Sequence, residues 1–319
     1  MSVNDKFKPV DAAAVPRFAD IATFMRTKRY DLTDELDIAL VGVPFDMGVN
    51  FRSGARHGPA QVREMSRLIR QVHPVSAIKP YELCNIADIG DAPVNPLDML
   101  KSIDMIQGFF EKVHSAGAVP IAIGGDHTVP LPILRVIARD APVGVVQFDA
   151  HADTLDELVG TKINHATTFR RGVEEGVIDP KRTIQIGLRG SRFSENDIQW
   201  GIDAGMRCMT IDEYEDMGRA AVIEEIDRVT GDGPVYISFD IDGLDAIHAM
   251  GTGVPEVGGL SVRDCQVIIR SLQGKHLVGA DICEVAPPFD PSGHTALCAA
   301  NLMFEMLCVI ADSIARRRS

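Results

Sequence analysis

Eight short apolar runs, separated by longer stretches with helical spacing of apolar residues, constrain this 319-residue chain more than any other feature. The runs are 37–43, 85–88, 120–123, 143–148, 183–188, 207–211, 235–239 and 277–282. Between them, helical patterns cover 59–72, 97–116, 129–139, 167–175, 194–204, 219–230, 261–272 and 295–316. Strand and helix alternating at this spacing predict an α/β fold, a mainly parallel eight-stranded sheet with helices on both faces in three layers. The runs are apolar throughout instead of alternating, as strands buried on both sides require. No Pro/Gly/Ser linker, low-complexity stretch or fixed-period repeat divides the chain, so 1–319 reads as one domain with an N-terminal arm over 1–35.

Ligands of such sheets collect beyond the carboxyl ends of the strands. Three runs end in acidic clusters: Gly124-Gly125-Asp126-His127, Asp149-Ala150-His151-Ala152-Asp153, and Asp240-Ile241-Asp242 with Asp245 close behind. Any one of these aspartates could be a helix cap. Three such ends, two of them bearing a histidine, point instead to a site for two divalent metals. Without cations, each carboxylate pair about 4 Å apart would repel by roughly 4 kcal/mol at a near-surface dielectric. Several such pairs would cancel the ~5 to 15 kcal/mol of net stability that a domain has.

Residues two apart in extended chain share a face, so Asp149, His151 and Asp153 align, as do Asp240 and Asp242. Fully extended, Asp149 to Asp153 would span roughly 13 Å, too far for one compact site, so a turn is expected after His151. The Asp240 to Asp242 step, roughly 6 to 7 Å, suits a pair straddling two ions. Oxygen-rich donors with one imidazole per ion favour a hard or borderline cation such as manganese over thiolate-seeking zinc. Two ions roughly 3.5 to 4 Å apart would make hydroxide available at neutral pH, so hydrolysis at a trigonal carbon is expected, with no Ser or Cys nucleophile. Gly124 and Gly125 serve either as room for neighbouring backbone or as a turn.

A net charge of −13 argues against a nucleic-acid surface, which needs clustered Lys and Arg. The one basic run, Arg316-Arg317-Arg318, reads as a solvated tail. No window approaches eighteen uninterrupted apolar residues, and Asp5, Lys6, Lys8, Asp11 and Arg17 break any signal-peptide pattern. The cysteines at 84, 208, 265, 283, 298 and 308 include no CxxC pair and mostly sit in apolar context, so buried free thiols are expected. These features together predict a cytoplasmic enzyme with no nucleic-acid or membrane partner.

The three clusters, ending in Ser-Phe-Asp-Ile-Asp-Gly-Leu-Asp over 238–245, resemble the ureohydrolases, the arginase and agmatinase superfamily. The agmatinase branch is matched further by Gly-Val-Pro-Phe-Asp (42–46), Arg-Ser-Gly-Ala-Arg-His-Gly-Pro (52–59), Gly-Thr-Gly-Val-Pro-Glu (251–256) and Glu-Val-Ala-Pro-Pro-Phe-Asp (284–290). The likeness runs from about Pro16 to Ile310. Within that branch, Pro16-Arg17-Phe18 and Thr23-Phe24-Met25-Arg26 are similar to the guanidinobutyrase and guanidinopropionase group.

The resemblance implies an arginase-like fold and two manganese ions, with nickel as the alternative. One ion would be held by His127, Asp149, Asp153 and Asp240, the other by His151, Asp149, Asp240 and Asp242, with Asp149 and Asp240 bridging. It implies that His165 passes protons to the leaving amine and that Glu284 accepts hydrogen bonds from a guanidinium. Asp149 shares in catalysis through both ions. On their own residues, His165 would serve as well as a loop or cap histidine and Glu284 as a surface carboxylate; His57, His248 and His294 are further candidates for the site rim. The implied reaction cleaves a guanidino group to urea and an amine, in a homo-oligomer that is a trimer or hexamer.

Three positions depart from the branch pattern. Ala246 stands where proline is usual, Ala166 where glycine usually follows the histidine, and Leu155 where arginases carry an asparagine. None removes a metal ligand. The segment 154–164, with Leu155, Leu158, Val159, Ile163 and Asn164, is expected to line the substrate pocket. That apolar lining suits a tail with few polar groups, because an unpaired buried polar group costs ~1 to 3 kcal/mol. A guanidino acid or alkylguanidine is the expected substrate, then agmatine, whose cationic tail Asp156 and Glu157 could attract, then a biguanide such as metformin, some of whose hydrolases use nickel and pair unlike subunits. A different class is a non-catalytic metal-binding partner subunit of a mixed oligomer, which a missing ligand would mark; none is missing. A formimino- or deacetylase-type hydrolase is opposed by the Gly-Thr-Gly-Val-Pro-Glu stretch.

Overall fold

The computed structural model describes residues 3–194 and 196–318. Position 195, inside the predicted helix 194–204, and positions 1, 2 and 319 of the predicted domain lie outside the described residues. The strands are β1 (Ile38–Gly42), β2 (Ile86–Asp91), β3 (Val119–Ile123), β4 (Val143–Phe148), β5 (Ile178–Leu188), β6 (Arg207–Thr210), β7 (Val235–Asp240) and β8 (Leu277–Cys283). They form one sheet in the order β2-β1-β3-β8-β7-β4-β5-β6. Every neighbouring pair is parallel. β1, β4 and β7 are buried along their whole length, as unbroken apolar runs require.

The helices are α1 (Gly58–Met65), α2 (Pro80–Leu83), α3 (Met99–Ser115), α4 (Pro130–Ile137), α5 (Thr168–Glu174), α6 (Gln199–Ala204), α7 (Ile211–Thr230), α8 (Val262–Ser271) and α9 (His294–Arg318). One apolar layer joins α1, α2, α7, α8 and α9 to the sheet, and the other joins α3, α4 and α5 to it. Along β4 the alternation is direct: Val146 and Phe148 enter the first layer, Val143 and Val145 the second. Before β1 the described part of the arm makes 3₁₀ turns at Asp5–Phe7 and Phe24–Arg26, pinned by buried Phe7, Phe24 and Met25, and one parallel bridge from Arg29 to Asp88 on β2. α9 is long and apolar enough to cross a membrane by length and composition, and it lies largely buried, as a core helix does.

Several boundaries differ from those read in the sequence. The helix predicted over 59–72 turns 3₁₀ after Met65. α7 begins at Ile211, where Thr210 caps it, and not at 219; Gly218 (φ +74°) interrupts it, and that break hid its first half. β5 begins at Ile178, through a charged and proline-containing segment with no strand-like pattern. The basic terminus is no loose tail: Arg316, Arg317 and Arg318 close α9 and bond Asp312, Ser313 and Asp37.

Strand register brings the three acidic clusters together. Phe148 pairs with Phe239, Phe239 with Ile282, and Ile282 with Ile123. Asp149, Asp240, Cys283 and Gly124 therefore leave the sheet side by side, at neighbouring strand spacings of about 4.8 Å. Close approach, not a turn, explains Gly125. A Cβ there would stand 1.4 Å from the Phe45 carbonyl oxygen. Gly125→Ala should therefore destabilise by about 3 kcal/mol or more, since backbone cannot yield. Gly108→Ala, in open space on α3, should stabilise by about 0.5–1 kcal/mol. Thermal unfolding of the two variants checks this, and a harmless Gly125→Ala would contradict it.

Candidate active site

At the mouth of the sheet the predicted donors converge in two groups that share Asp149: His127, Asp149 and Asp240, and Asp149, His151 and Asp242. His127 Nδ1 lies 2.8 Å from Asp153 Oδ2, 3.1 Å from Asp149 Oδ2 and 3.3 Å from Asp240 Oδ2. His151 Nδ1 lies 3.2 Å from Asp242 Oδ2 and 3.6 Å from Asp149 Oδ1. Asp149 thus turns one oxygen to each imidazole. The chain does turn after His151, with Asp153 in the left-handed region (φ +53°), and this brings its carboxylate back to His127. Asp240 and Asp242 are joined by a 3₁₀ turn instead of extended chain, Asp240 Oδ1 accepting from the Asp242 N–H at 2.9 Å.

Both imidazoles are aimed by what stands behind them. His127 Nε2 donates to Ser238 Oγ (3.0 Å), whose hydroxyl donates to Asp281 Oδ1 (3.0 Å), leaving Nδ1 as the lone pair facing inward. His151 Nε2 lies 3.9 Å from Glu256 Oε1. Gln185, Gln147, Ser238 and Asp281 stand opposite one another across β5, β4, β7 and β8. This polar row lies on the side-chain face of Asp149 and Asp240, two residues on. Within it Gln185 Nε2 donates to Gln147 Oε1 (2.7 Å), and Gln147 Nε2 donates to Asp149 Oδ2 (2.7 Å).

Charge in the centre is unbalanced. Burial, then the neighbouring carboxylates, pushes Asp240 well up; burial raises Asp242, and burial with Asp149 lifts Asp153 to about 6. Burial would lower His127 and His151, but the aspartates beside them hold both well above the usual imidazole range. Asp149 is held low by these two histidines against its burial. A buried set of four carboxylates and two inward Nδ1 lone pairs, two groups sharing one aspartate, fits two adjacent divalent cations. The other close group, His127, Asp281 and Cys283, does not, because Ser238 already occupies His127 Nε2.

His165 Nδ1 bonds Glu284 Oε1 at 3.1 Å and Nε2 bonds Asn50 Oδ1 at 3.1 Å. Burial would depress His165, but the bond to Glu284 and the charges of Asp153 and Asp126 raise it to about 9. Glu284, in the left-handed region at φ +63°, also accepts from the His127 N–H at 3.0 Å, and its Oε2 is buried with no donor. It stands behind His165 and does not itself line the cavity. Asp126 and Asp245 are spent on backbone, accepting from Gly48 and Thr128, and from Ile247 and Gly259.

A cavity of about 300 Å³ opens over the centre, with His151, Asp153, His165, Asp240 and Asp242 on its inner wall and Leu155 and Leu158 farther out. Three expected lining residues, Val159, Ile163 and Asn164, are elsewhere. Val159 is 89% exposed and points to solvent from a tight turn. Asn164 is buried and caps the 3₁₀ turn His165–Thr167, its side chain accepting from the Ala166 N–H. Ile163 packs into the second apolar layer, and His57, His248 and His294 are not on the wall. The sequence reading had passed over Asn50, Gln147, Gln185, Ser238 and the carboxylate role of Glu256. All six cysteines are buried and free, as expected.

The sequence profile of the Arginase family matches residues 36–308. The chain is 50% identical to the guanidinopropionase of Pseudomonas aeruginosa, over 98% of this chain and 99% of that protein. It is 42% identical to the guanidinobutyrase of the same organism, over 97% and 98%. The solved proclavaminate amidinohydrolase of Streptomyces clavuligerus superposes with a TM-score of 0.90 at 35% identity, covering 93% of this chain and 99% of that one. The chain belongs to the arginase family. Its class is that of binuclear-metal hydrolases acting on guanidino carbon–nitrogen bonds.

Divalent cations compete at this centre with protons. Without them burial and crowding favour the protonated forms of His127, His151 and Asp240, and protons held there must leave for cations to bind. Metal affinity should therefore fall as pH falls, with protons released on binding. Calorimetry in buffers of different ionisation enthalpy measures this; binding with no proton release would contradict the assignment.

Proposed function

We propose that this chain hydrolyses a guanidino acid, guanidinopropionate or guanidinobutyrate, to urea and the corresponding amino acid, with two manganese ions held as the sequence implies. The observation that carries this reading is the pair of imidazole–carboxylate groups sharing Asp149 beneath an apolar-walled cavity. His127, Asp149, Asp153 and Asp240 would hold one ion and His151, Asp149, Asp240 and Asp242 the other. Cations bound there would bring the pKa of a water toward neutrality and so supply hydroxide for attack on the guanidino carbon.

The chain's own groups do the rest. Glu284, bonded to His165 Nδ1 from behind the cavity wall, would orient that imidazole toward the substrate instead of accepting from the guanidinium itself. His165, raised to about 9 by Glu284, would give its proton to the amine nitrogen as the carbon–nitrogen bond breaks and take up the proton of the added hydroxyl, so the amine leaves neutral and urea remains. Leu155 and Leu158 would face the methylenes of the tail. Every donor position is filled and converges, which favours an enzyme over a non-catalytic partner subunit.

Purified protein loaded with Mn(II), and separately with Ni(II), should release urea from a guanidino acid. Silence across guanidino acids, agmatine, arginine and biguanides with both metals would favour the partner-subunit class. His165→Asn should lower kcat by ~10²- to 10⁴-fold while leaving KM within a few-fold; a drop under tenfold would remove His165 from proton transfer. We also read the protein as a cytoplasmic homo-oligomer, a trimer or hexamer. Exposed Phe18, Ile21, Phe51, Ile247 and Val257 offer apolar contact surface for it, and free buried thiols suit a reducing compartment. Light scattering coupled to gel filtration should give three or six chains, and a monomer would refute this.

A further inference from the structure

The acidic centre accounts for the inner end of the cavity. Its outer end, where the tail of a guanidino compound must lie, is lined away from the donor groups by four ionisable side chains: Arg189, Arg192, Asp197 and Glu256. Three are committed. Arg189 donates to six carbonyl oxygens, those of Gly187, Asp242, Gly243, Leu244, Glu256 and Val257. Asp197 accepts from the N–H groups of Phe193 and Ser194 and from the Ser194 hydroxyl. Glu256 faces His151. Asp156, which could have drawn a cationic tail, is off the cavity wall and engages Arg171 at 2.8 Å, Arg170 at 3.5 Å and Lys162 at 3.6 Å.

Arg192 is the exception. Among the described residues it has no hydrogen-bond or ion-pair partner, and Ser191 beside it has a hydroxyl equally uncommitted. Both ride on the segment joining β5 to α6, which Arg189 pins on one side and Asp197 on the other. An exposed arginine on an open surface is ordinary. This one stands at the rim of a cavity with apolar walls, in a chain of net charge −13, so a cation there answers to no general excess of positive charge.

We infer that Arg192, assisted by the Ser191 hydroxyl, is the anchor for the carboxylate of an ω-guanidino acid whose guanidino end lies over the acidic centre. This rests on the guanidino-hydrolase reading above and narrows its substrate class. The guanidinium fork matches a carboxylate in two parallel hydrogen bonds. The methylenes between the two ends lie along Leu155 and Leu158, where they need no polar partner. The same charge opposes the ammonium of agmatine, and among the described residues the wall carboxylates outside the acidic centre, Asp197 and Glu256, already face other partners.

Steady-state kinetics on the metal-loaded protein test the anchor, with guanidinopropionate, guanidinobutyrate, agmatine and butylguanidine as substrates for wild type, Arg192→Gln, Arg192→Lys and Arg192→Glu. The ratio of kcat/KM for the better guanidino acid to that for butylguanidine should fall about 10- to 100-fold in Arg192→Gln, through KM more than kcat. Arg192→Lys should recover part of it, and Arg192→Glu should move preference toward agmatine. A ratio within twofold of wild type in Arg192→Gln, or an equal loss on butylguanidine, would overturn the anchor while hydrolysis of guanidino acids stood. Wild type that releases urea from agmatine or butylguanidine but from neither acid would instead overturn the substrate reading beneath it.

Discussion

Four adjacent parallel strands ending at one level are the constraint on which the rest depends. β3, β8, β7 and β4 sit side by side at the centre of the sheet, and their register delivers Gly124, Cys283, Asp240 and Asp149 to one edge. The two strands carrying the bridging candidates come from chain segments nearly ninety residues apart, so only the sheet brings them together. Buried carboxylates gathered this closely are unstable as a bare set. Burial and mutual repulsion favour the protonated forms of Asp153, Asp240 and Asp242 for the same reason, and divalent cations would relieve it.

The centre is held from behind. Ser238 and Asp281 fix the orientation of His127, while Gln147, itself held by Gln185, fixes one oxygen of the shared Asp149. Left-handed backbone at Asp153 and Glu284 stores strain of order 1–3 kcal/mol per residue, sustained because strands and helices over-determine both positions. Such preparation leaves little for a substrate to rearrange. On the proposal above, specificity would be set at the opposite, outer end, where the structure is built from loops.

How much of this could be read in the sequence follows from what each feature depends on. The strands and the three clusters were legible because doubly buried strands and acidic strand ends are local patterns, and the turn after His151 followed from chain length alone. Gln147 was legible in principle: a glutamine within Val-Val-Gln-Phe, buried on both sides, must find a partner, yet its partner Gln185 is named only by register. Val159, Ile163 and Asn164 were misplaced because a loop has no period to say which side chains face the cavity. The start of α7 was lost because Gly218 looks like a boundary when it is an interruption. Arg192 gave no signal of its own, since an arginine on a loop acquires meaning only when the other charges around it are seen to be taken.

The most direct measurement of the central claim is diffraction from manganese-loaded crystals at the manganese absorption edge. Two anomalous peaks per chain are predicted, roughly 3.5 to 4 Å apart, one beside His127 Nδ1 and the other beside His151 Nδ1, with Asp149 between them. A single peak, or peaks away from both histidines, would contradict it.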